Sequence, residues 1–359
     1  MDTKLTWTPA AIPGATALVL DKTVGSAWLL TDLLGAGPLT NAPTTAKGPG
    51  QEGETALDVP IPPRILIAQA LNITDSETTL HAARAAVARA MVNIPVRPST
   101  DLSLGRLLIE RTSLSDLEIY ATPRSASFSR VKGGYAAVLD AQWFCPYPYF
   151  QATSDTTLTV PDTTTLSTSA AADDIIDATD HDLAVGDAVI FDSLTGGTGL
   201  TAGTTYYVVA ASFAANTFRV GLTAGGAAID FTTDITAGTA RKVSTATNSG
   251  DVDAPITAKL YGPATQVTLT NVTTGEAFTV DVALTDVTHW LEVDTSPGAK
   301  TIRHYTAVGV YTDAFSGLVL NDARLWALRP GASAVTFAAT GSGADTSAVL
   351  TWRNRWAGL

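Results

Sequence analysis

Residues Trp143 to Phe150 read WFCPYPYF, and the organisation of the chain turns on them. Two prolines alternating with aromatic residues exclude a helix, hold the backbone extended or turned, and leave rings that have to find apolar cover. Such a segment is a stiff, packed joint. Upstream lies a mixed stretch with the one good helix pattern; downstream the composition shifts to Thr, Ala, Val, Gly and Asp with no amphipathic helix. The joint therefore marks a domain boundary.

Working back from it, Tyr135 to Leu139, Leu117 to Tyr120 and Leu107 to Ile109 are strand candidates separated by turns at Gly133-Gly134, Ser113 to Asp116 and Gly105. Before them, Thr74 and Glu77 have capping-box spacing, and Leu80, Ala83, Val87, Ala90 and Met91 share one helical face that Pro95 ends. Arg84 and Arg89 fall near the polar face of that helix. The strand-like VPIPPRILIAQALNI precedes it, and residues 1 to about 40 hold short strand runs such as Ala17 to Leu20 and Trp28 to Leu30. Between them, NAPTTAKGPGQEGETAL at 41 to 57 is too long and polar for an ordinary connection and reads as an arm able to reach a neighbour.

Working forward, residues 156 to 245 carry short strand signals at Ala188 to Phe191, Tyr206 to Val209 and Phe218 to Val220, set apart by Gly-containing turns, so a small β-domain is expected. It holds ten acidic and three basic residues, more than half of the net charge of −12. Asp173, Asp174, Asp177, Asp180 and Asp182 raise a calcium site, but the spacing is not that of an EF-hand and no Glu closes the loop; solvated turn carboxylates are the plainer reading. His181 reads as a turn histidine. From Asn248, a series of strand candidates runs from Ile256 to Trp352 between turns at Thr274-Gly275, Pro297-Gly298 and Pro330-Gly331, which is the pattern of an antiparallel β-sandwich closed by the last strand before TWRNRWAGL.

At 359 residues the chain has room for two or three cores, and 45% hydrophobic with 16% charged residues describes a folded protein with a rather neutral surface. The acidic balance argues against a partner gripped through its phosphates. Cys145 is the single cysteine, so neither an internal disulfide nor a thiolate cluster is available. The start lacks a basic segment followed by an apolar run, and no stretch is long enough to span a bilayer; a soluble product made in the cytoplasm is expected. His81, His181, His289 and His304 show no metal-ligand spacing, and there is no nucleophile elbow, P-loop or dinucleotide fingerprint. Paired carboxylates of a glycosidase would have to be assembled by the fold. The expectation is a protein that is not an enzyme and carries no cofactor or metal.

The order of parts carries a resemblance. RILIAQALNI, HAARAAVARAMVNIPVRP, YAAVLDAQWFCPYPYF, NSGDVDAPITAKLYG, NVTTGEAFTVDVALTDVTHWLEVDT and the closing RLWALRPGASAVTFAATGSGADTSAVLTWRNRW resemble the distal tail proteins of bacteriophages with long, non-contractile tails. The similarity covers residues 1 to about 155 and 246 to 359, with its most specific points at Gly250 to Pro255, Asp294 and Leu328 to Gly331. Between them, HDLAVGDAVIF with LTAGTTYYVV is similar to a small β-module of phage tail and baseplate proteins.

The resemblance implies a mainly β protein with one helix in its N-terminal part. Residues 1–155 would be an N-terminal belt domain, a β-sandwich or barrel plus helix; 156–245 an inserted, outward-facing β-domain; and 246–359 a galectin-like β-sandwich. It implies a structural virion protein of the tail tip, assembled in the host cytoplasm, whose belt closes into a homohexamer. Its partners would be the tail tube protein, the tail-tip hub and tape-measure proteins and peripheral receptor-binding proteins, with DNA passing through the lumen but not specifically bound. Ring contacts are then expected from the arm and the helix, at Asn41, Lys47, Gln51, Arg84 and Arg89. A second reading, from a different class, is a glycan-binding or adhesive β-protein that stacks sugars on Tyr206, Tyr207 or Trp290.

Overall fold

The computed structural model describes residues 3–9, 17–23, 27–39, 44–46, 55–58, 61–91, 104–131, 134–320, 323–343 and 345–359. The protein is mainly β, with several antiparallel sheets and, among the described residues, one α-helix. Two compact units form, one from Met1–Ser154 with Asn354–Leu359, the other from Asp155–Arg353.

In the first unit the strands run in the order Leu18–Leu20, Thr3–Thr8, Gly105–Arg111, Leu117–Arg130, Tyr135–Cys145, Arg64–Thr74 and Leu29–Leu34. Strand Leu117–Arg130 belongs to both halves of this sheet: residues 117–121 pair with Gly105–Arg111, and residues 122–130 with Tyr135–Cys145. The register shifts between Pro123 and Ser125, where the ring of Pro123 removes a ladder donor, so the strand can bend and turn one half over the other. Trp7 from one half meets Trp143 from the other at 6.0 Å. Gly105 makes room for Trp7, because a Cβ there would come within 2.2 Å of its ring.

The helix Glu77–Ala90 closes this core with Leu80, Val87 and Ala90. Its cap is Ser76, not Thr74: Ser76 has extended backbone and its Oγ accepts from the Thr79 N–H at 3.3 Å, while the Thr74 hydroxyl donates to the carbonyls of Ser76 and Tyr135. At the other end the indole N–H of Trp7 donates to the Ala90 carbonyl at 2.9 Å, satisfying a group that the helix leaves open. Pro95 lies outside the described residues.

The joint is held by Arg64. Its guanidinium is buried and donates to the carbonyls of Pro148 (2.9 Å), Gly35 (2.6 Å), Gly37 (2.8 Å) and Ala357, and it lies 4.7 Å from the centre of the Phe150 ring. Beside it Phe150–Ala152 pairs with Leu117–Arg130 and with Arg355–Trp356, so the last residues do not extend the sandwich but return to the first unit, where Trp356 packs on the core. Glu118 is buried at this seam and is satisfied by Arg106 (3.2 Å) and Gln151 (3.0 Å).

The second unit holds two sheets and two cores. One sheet runs Thr156–Pro161, Ser347–Trp352, Ala254–Tyr261, Trp290–Asp294, Thr301–Ala307 and Val310–Asp313. The other begins with Ile176–Asp177, Thr217–Gly221, Thr205–Ala214 and Ala188–Gly196, and continues through Ile235–Asn248 to Gly331–Thr340, Ala264–Asn271 and Glu276–Leu284. Strand Ile235–Asn248 pairs with Ala188–Gly196 through residues 235–243 and with Gly331–Thr340 through residues 244–248, so one unbroken strand joins the two cores. The boundary expected at 245 falls inside it. Likewise Thr156–Pro161, placed by composition in the small β-domain, pairs with Ser347–Trp352, and Val160 is buried in the sandwich core.

Two predictions rest on the Arg64 clasp. Arg64→Met removes a charged donor from four carbonyls and should lower stability by about 3 kcal/mol, read as an earlier unfolding transition in denaturant. The Cys145 thiol is pushed up to about 12 by burial, against the pull of Arg64, so it is protonated at neutral pH. Iodoacetamide at pH 8 should leave it unmodified in the native protein and alkylate it in guanidinium chloride, as a mass shift would report.

Candidate assembly surface

Residues alternate between the two faces of a strand, and the sheet of the first unit uses its faces in an unusual way. The face under the helix is lined by small side chains, with Ala68, Ala70, Ala137 and Ala141 all fully buried beside Leu66, Leu139 and Trp143. That is what lets the helix approach closely. The opposite face carries the large apolar ones: Ile65 stands opposite Phe144, Ile67 opposite Leu34, and Leu71 opposite Val138, with Ile73 beyond. Ile73 is 73% exposed, Leu34 44%, Ile65 38% and Phe144 36%. A solvated face of an antiparallel sheet is expected to be polar, and contiguous exposed Ile, Leu and Phe mark an interaction surface.

A polar line crosses this surface. Gln69 donates to the Asp140 carboxylate at 2.8 Å, Asp32 pairs in register with Gln69, and Ser127 stands opposite Asp140 on the next strand. An apolar surface split by a satisfied polar line restricts register as well as contact, because sliding a partner along the strands would bury that line against hydrocarbon.

The residues expected to act from sequence are placed as follows. Asn41, Lys47 and Gln51 lie outside the described residues. Arg84 and Arg89 stand on the helix, hence on the side of the sheet away from the Ile and Phe face. Arg84 is engaged within the chain, its guanidinium 5.5 Å from the centre of the Phe128 ring, while Arg89 is exposed in the last turn, where a cation suits the helix dipole. Tyr206 is 2% exposed, packs on Phe191 at 5.6 Å, and its hydroxyl accepts from the Thr201 N–H at 2.9 Å; it is a core ring with no face for a sugar. Tyr207, next in the strand, is half-buried. Trp290 is half-buried on the outer side of the sandwich, stacked on Tyr305.

Other candidate chemistry is absorbed by the fold. Asp174 accepts from the Phe231 N–H, and among the described residues no group of three His, Cys, Asp or Glu could hold a metal ion. His181 is buried between Phe213 and Phe218, with its Nδ1 accepting from the Leu183 N–H. Among the described residues no helix is long and apolar enough to cross a membrane.

The exposed face was hidden from a sequence reading because RILIAQALNI is apolar in both phases, which looks like a strand covered on both sides. One signal could have found it: a single helix can cover one face only.

No protein-family model matches the chain, and no curated protein matches it. Solved structures do. The Dit protein (gp 19.1) of SPP1, described as a paradigm of the hub adsorption apparatus in phages that infect Gram-positive hosts, is similar over 99% of both chains, with a TM-score of 0.55 and 9% identity. The phage P2 baseplate in its activated conformation, with Ca or with Sr, is similar over 98% of this chain and 97% of that chain at a TM-score of 0.42, with 10% and 9% identity. At that coverage and TM-score this chain shares the overall fold of SPP1 Dit.

Proposed function

We propose that this chain is a structural protein of the bacteriophage tail tip, a distal tail protein whose first unit closes with copies of itself into a hexameric ring. The observation that carries the reading is the uncovered Ile65, Ile73 and Phe144 face, on a chain that has the fold of a phage hub protein from end to end. A ring needs large self-complementary surfaces rather than a reactive site, and contacts of the head-to-tail kind that close leave no free edge. The arm supplies a second contact. Thr44–Ala46 and Thr55–Asp58 pair with each other and with no other described strand, and a two-stranded ribbon alone is marginal in water.

In this reading residues 1–155 form the belt, stacked on the tail tube on one side and on the hub and tape-measure proteins on the other. The small β-domain and the sandwich face outward and carry receptor-binding proteins. With a net charge of −12, a lumen walled by carboxylates lets DNA slide through without adhering. The role is assembly and not catalysis.

Negative-stain electron microscopy of the purified protein at high concentration should give six-fold rings with a central hole. Ile73→Asp should keep the wild-type melting temperature, because that side chain is 73% exposed, and yield single particles. Deleting residues 41–55 should likewise leave a folded chain that no longer closes. Wild-type protein that stays monomeric both free and on purified tail tubes would overturn the ring. The rings should also fail to retain double-stranded DNA in low-salt filter binding; retention would mean a basic inner wall.

A further inference from the structure

One sheet of the second unit ends in a strand whose outer side is open. Val310–Asp313 pairs with Thr301–Ala307, and among the described residues no strand pairs with its other side. It is exposed along its whole length. The Ala314 N–H donates to the Ile302 carbonyl at 2.9 Å, and the register runs on unshifted through Arg303 opposite Asp313, His304 opposite Thr312 and Tyr305 opposite Tyr311. Hydrogen-bonded and non-bonded pairs alternate in an antiparallel ladder, so Thr312 bonds inward to His304, while Tyr311 and Asp313 turn their N–H and C=O groups outward. Solvated sheet edges are usually blunted by proline, lysine or a covering element, because a bare edge is a template for another strand. Here VYTD holds no proline and no cation, and its surroundings are apolar: Val308 is 91% exposed and Val310 58%.

Two rows of side chains cross the sheet and stop at this edge. One is aromatic, with Tyr261 opposite Trp290, Trp290 opposite Tyr305 and Tyr305 opposite Tyr311. The Arg303 guanidinium lies 4.8 Å from the centre of the Tyr311 ring, yet Tyr311 is still 51% exposed. The other row alternates in sign across the same four strands, as Lys259, Glu292, Arg303 and Asp313. Asp313 accepts from the Phe315 N–H with Oδ1 at 2.8 Å, and among the described residues no strand beyond it supplies the next cation.

We propose that Val310–Asp313 receives an extended segment of a different protein as one more antiparallel strand. Main-chain bonds to Tyr311 and Asp313 would give the affinity, and the two interrupted rows the specificity. Continuing the alternation calls for a lysine or arginine opposite Asp313. Two residues further along the segment, an aromatic side chain would stand beside Tyr311. A second copy of this chain cannot supply that pattern. Lysine or arginine two residues before an aromatic occurs at Lys259 and Tyr261, Arg303 and Tyr305, and Arg324 and Trp326; the first two pairs already lie inside this sheet, and Trp326 is buried. Two copies of Val310–Asp313 set edge to edge would put Asp313 against Tyr311 or Gly309, never against a cation. The inference stands on the pairing of this sheet alone and holds with or without ring closure.

The test uses the full-length chain and a fluorescein-labelled peptide, TIRHYTA, which copies the strand that pairs with Val310–Asp313 from the inner side. Fluorescence anisotropy should show saturable binding, and the reversed peptide ATYHRIT should bind about tenfold more weakly or worse, because it puts the cation and the ring in the wrong places. Tyr311→Pro removes an outward N–H that the inner ladder does not use, so it should keep the wild-type melting temperature and weaken binding by about tenfold. Asp313→Asn keeps an acceptor for the Phe315 N–H and should weaken binding by about fivefold. Asp313→Lys should instead prefer a peptide with glutamate in place of the arginine. The proposal is overturned if wild-type protein binds TIRHYTA no better than ATYHRIT, if Tyr311→Pro binds as wild type does, or if Asp313→Lys keeps the wild-type preference. A self-association in sedimentation velocity that Tyr311→Pro abolishes would also overturn it, by making a second copy the occupant.

Discussion

The first unit depends on one buried guanidinium whose partners are backbone carbonyls. Arg64 reaches three stretches far apart in sequence, the turn at Gly35 and Gly37, the joint at Pro148 and the returning tail at Ala357. Carbonyls near a strand edge or in a turn lack ladder partners, and leaving them unpaired would cost about as much as several hydrogen bonds. A single planar side chain with its donors spread in a fork satisfies them together, and the Phe150 ring covers one of its faces. Burial lowers the Arg64 pKa from its ordinary value, yet an arginine starts so high that it keeps its charge. A lysine, with one compact ammonium, could not hold the same set.

With its ends clasped, the sheet of the first unit is committed to facing one way. Alanines draw the helix onto one side, and that side is finished: Leu80, Val87 and Ala90 fill it, and Trp7 caps the last turn. The other side keeps its isoleucines and Phe144 in contact with water. Covering the part of such side chains that is still exposed is worth on the order of 1 kcal/mol each, which is the free energy the proposed contact would draw on. The fold and the proposed assembly thus follow from one division of labour between the two faces of a sheet.

Much of this was legible in the sequence and some was not. The WFCPYPYF joint, the helix period and the turn-spaced strands are local patterns, and local patterns were enough for a mainly β chain with one helix. Thr74 and Ser76 both offer a hydroxyl at the helix start, and backbone geometry, which no local pattern carries, chooses Ser76. Thr156–Pro161 shares the threonine-rich composition of the residues after it yet pairs with Ser347–Trp352, because threonine content says nothing of which sheet a strand joins. Tyr206 and Tyr207 differ only in phase, and alternation gives the phase of a strand without saying which side is inside. Arg64 looked like any other arginine, and the row of Tyr261, Trp290, Tyr305 and Tyr311 needs a register that no local signal carries. In each case the missing information was a pairing between distant strands.

Strand Ile235–Asn248 has a mechanical consequence. It runs for about 45 Å without a break, anchored at one end in the small β-domain and at the other in the sandwich. A flexible linker would let a load on the small domain dissipate as free rotation. Here a pull along the strand is carried by the backbone itself and loads its ladder hydrogen bonds in parallel, as shear, instead of opening them one at a time. Thr164–Leu166 lies alongside as a second cable, antiparallel and paired to the same strand. A pull on the small domain along this strand is therefore passed to the sandwich core through the backbone.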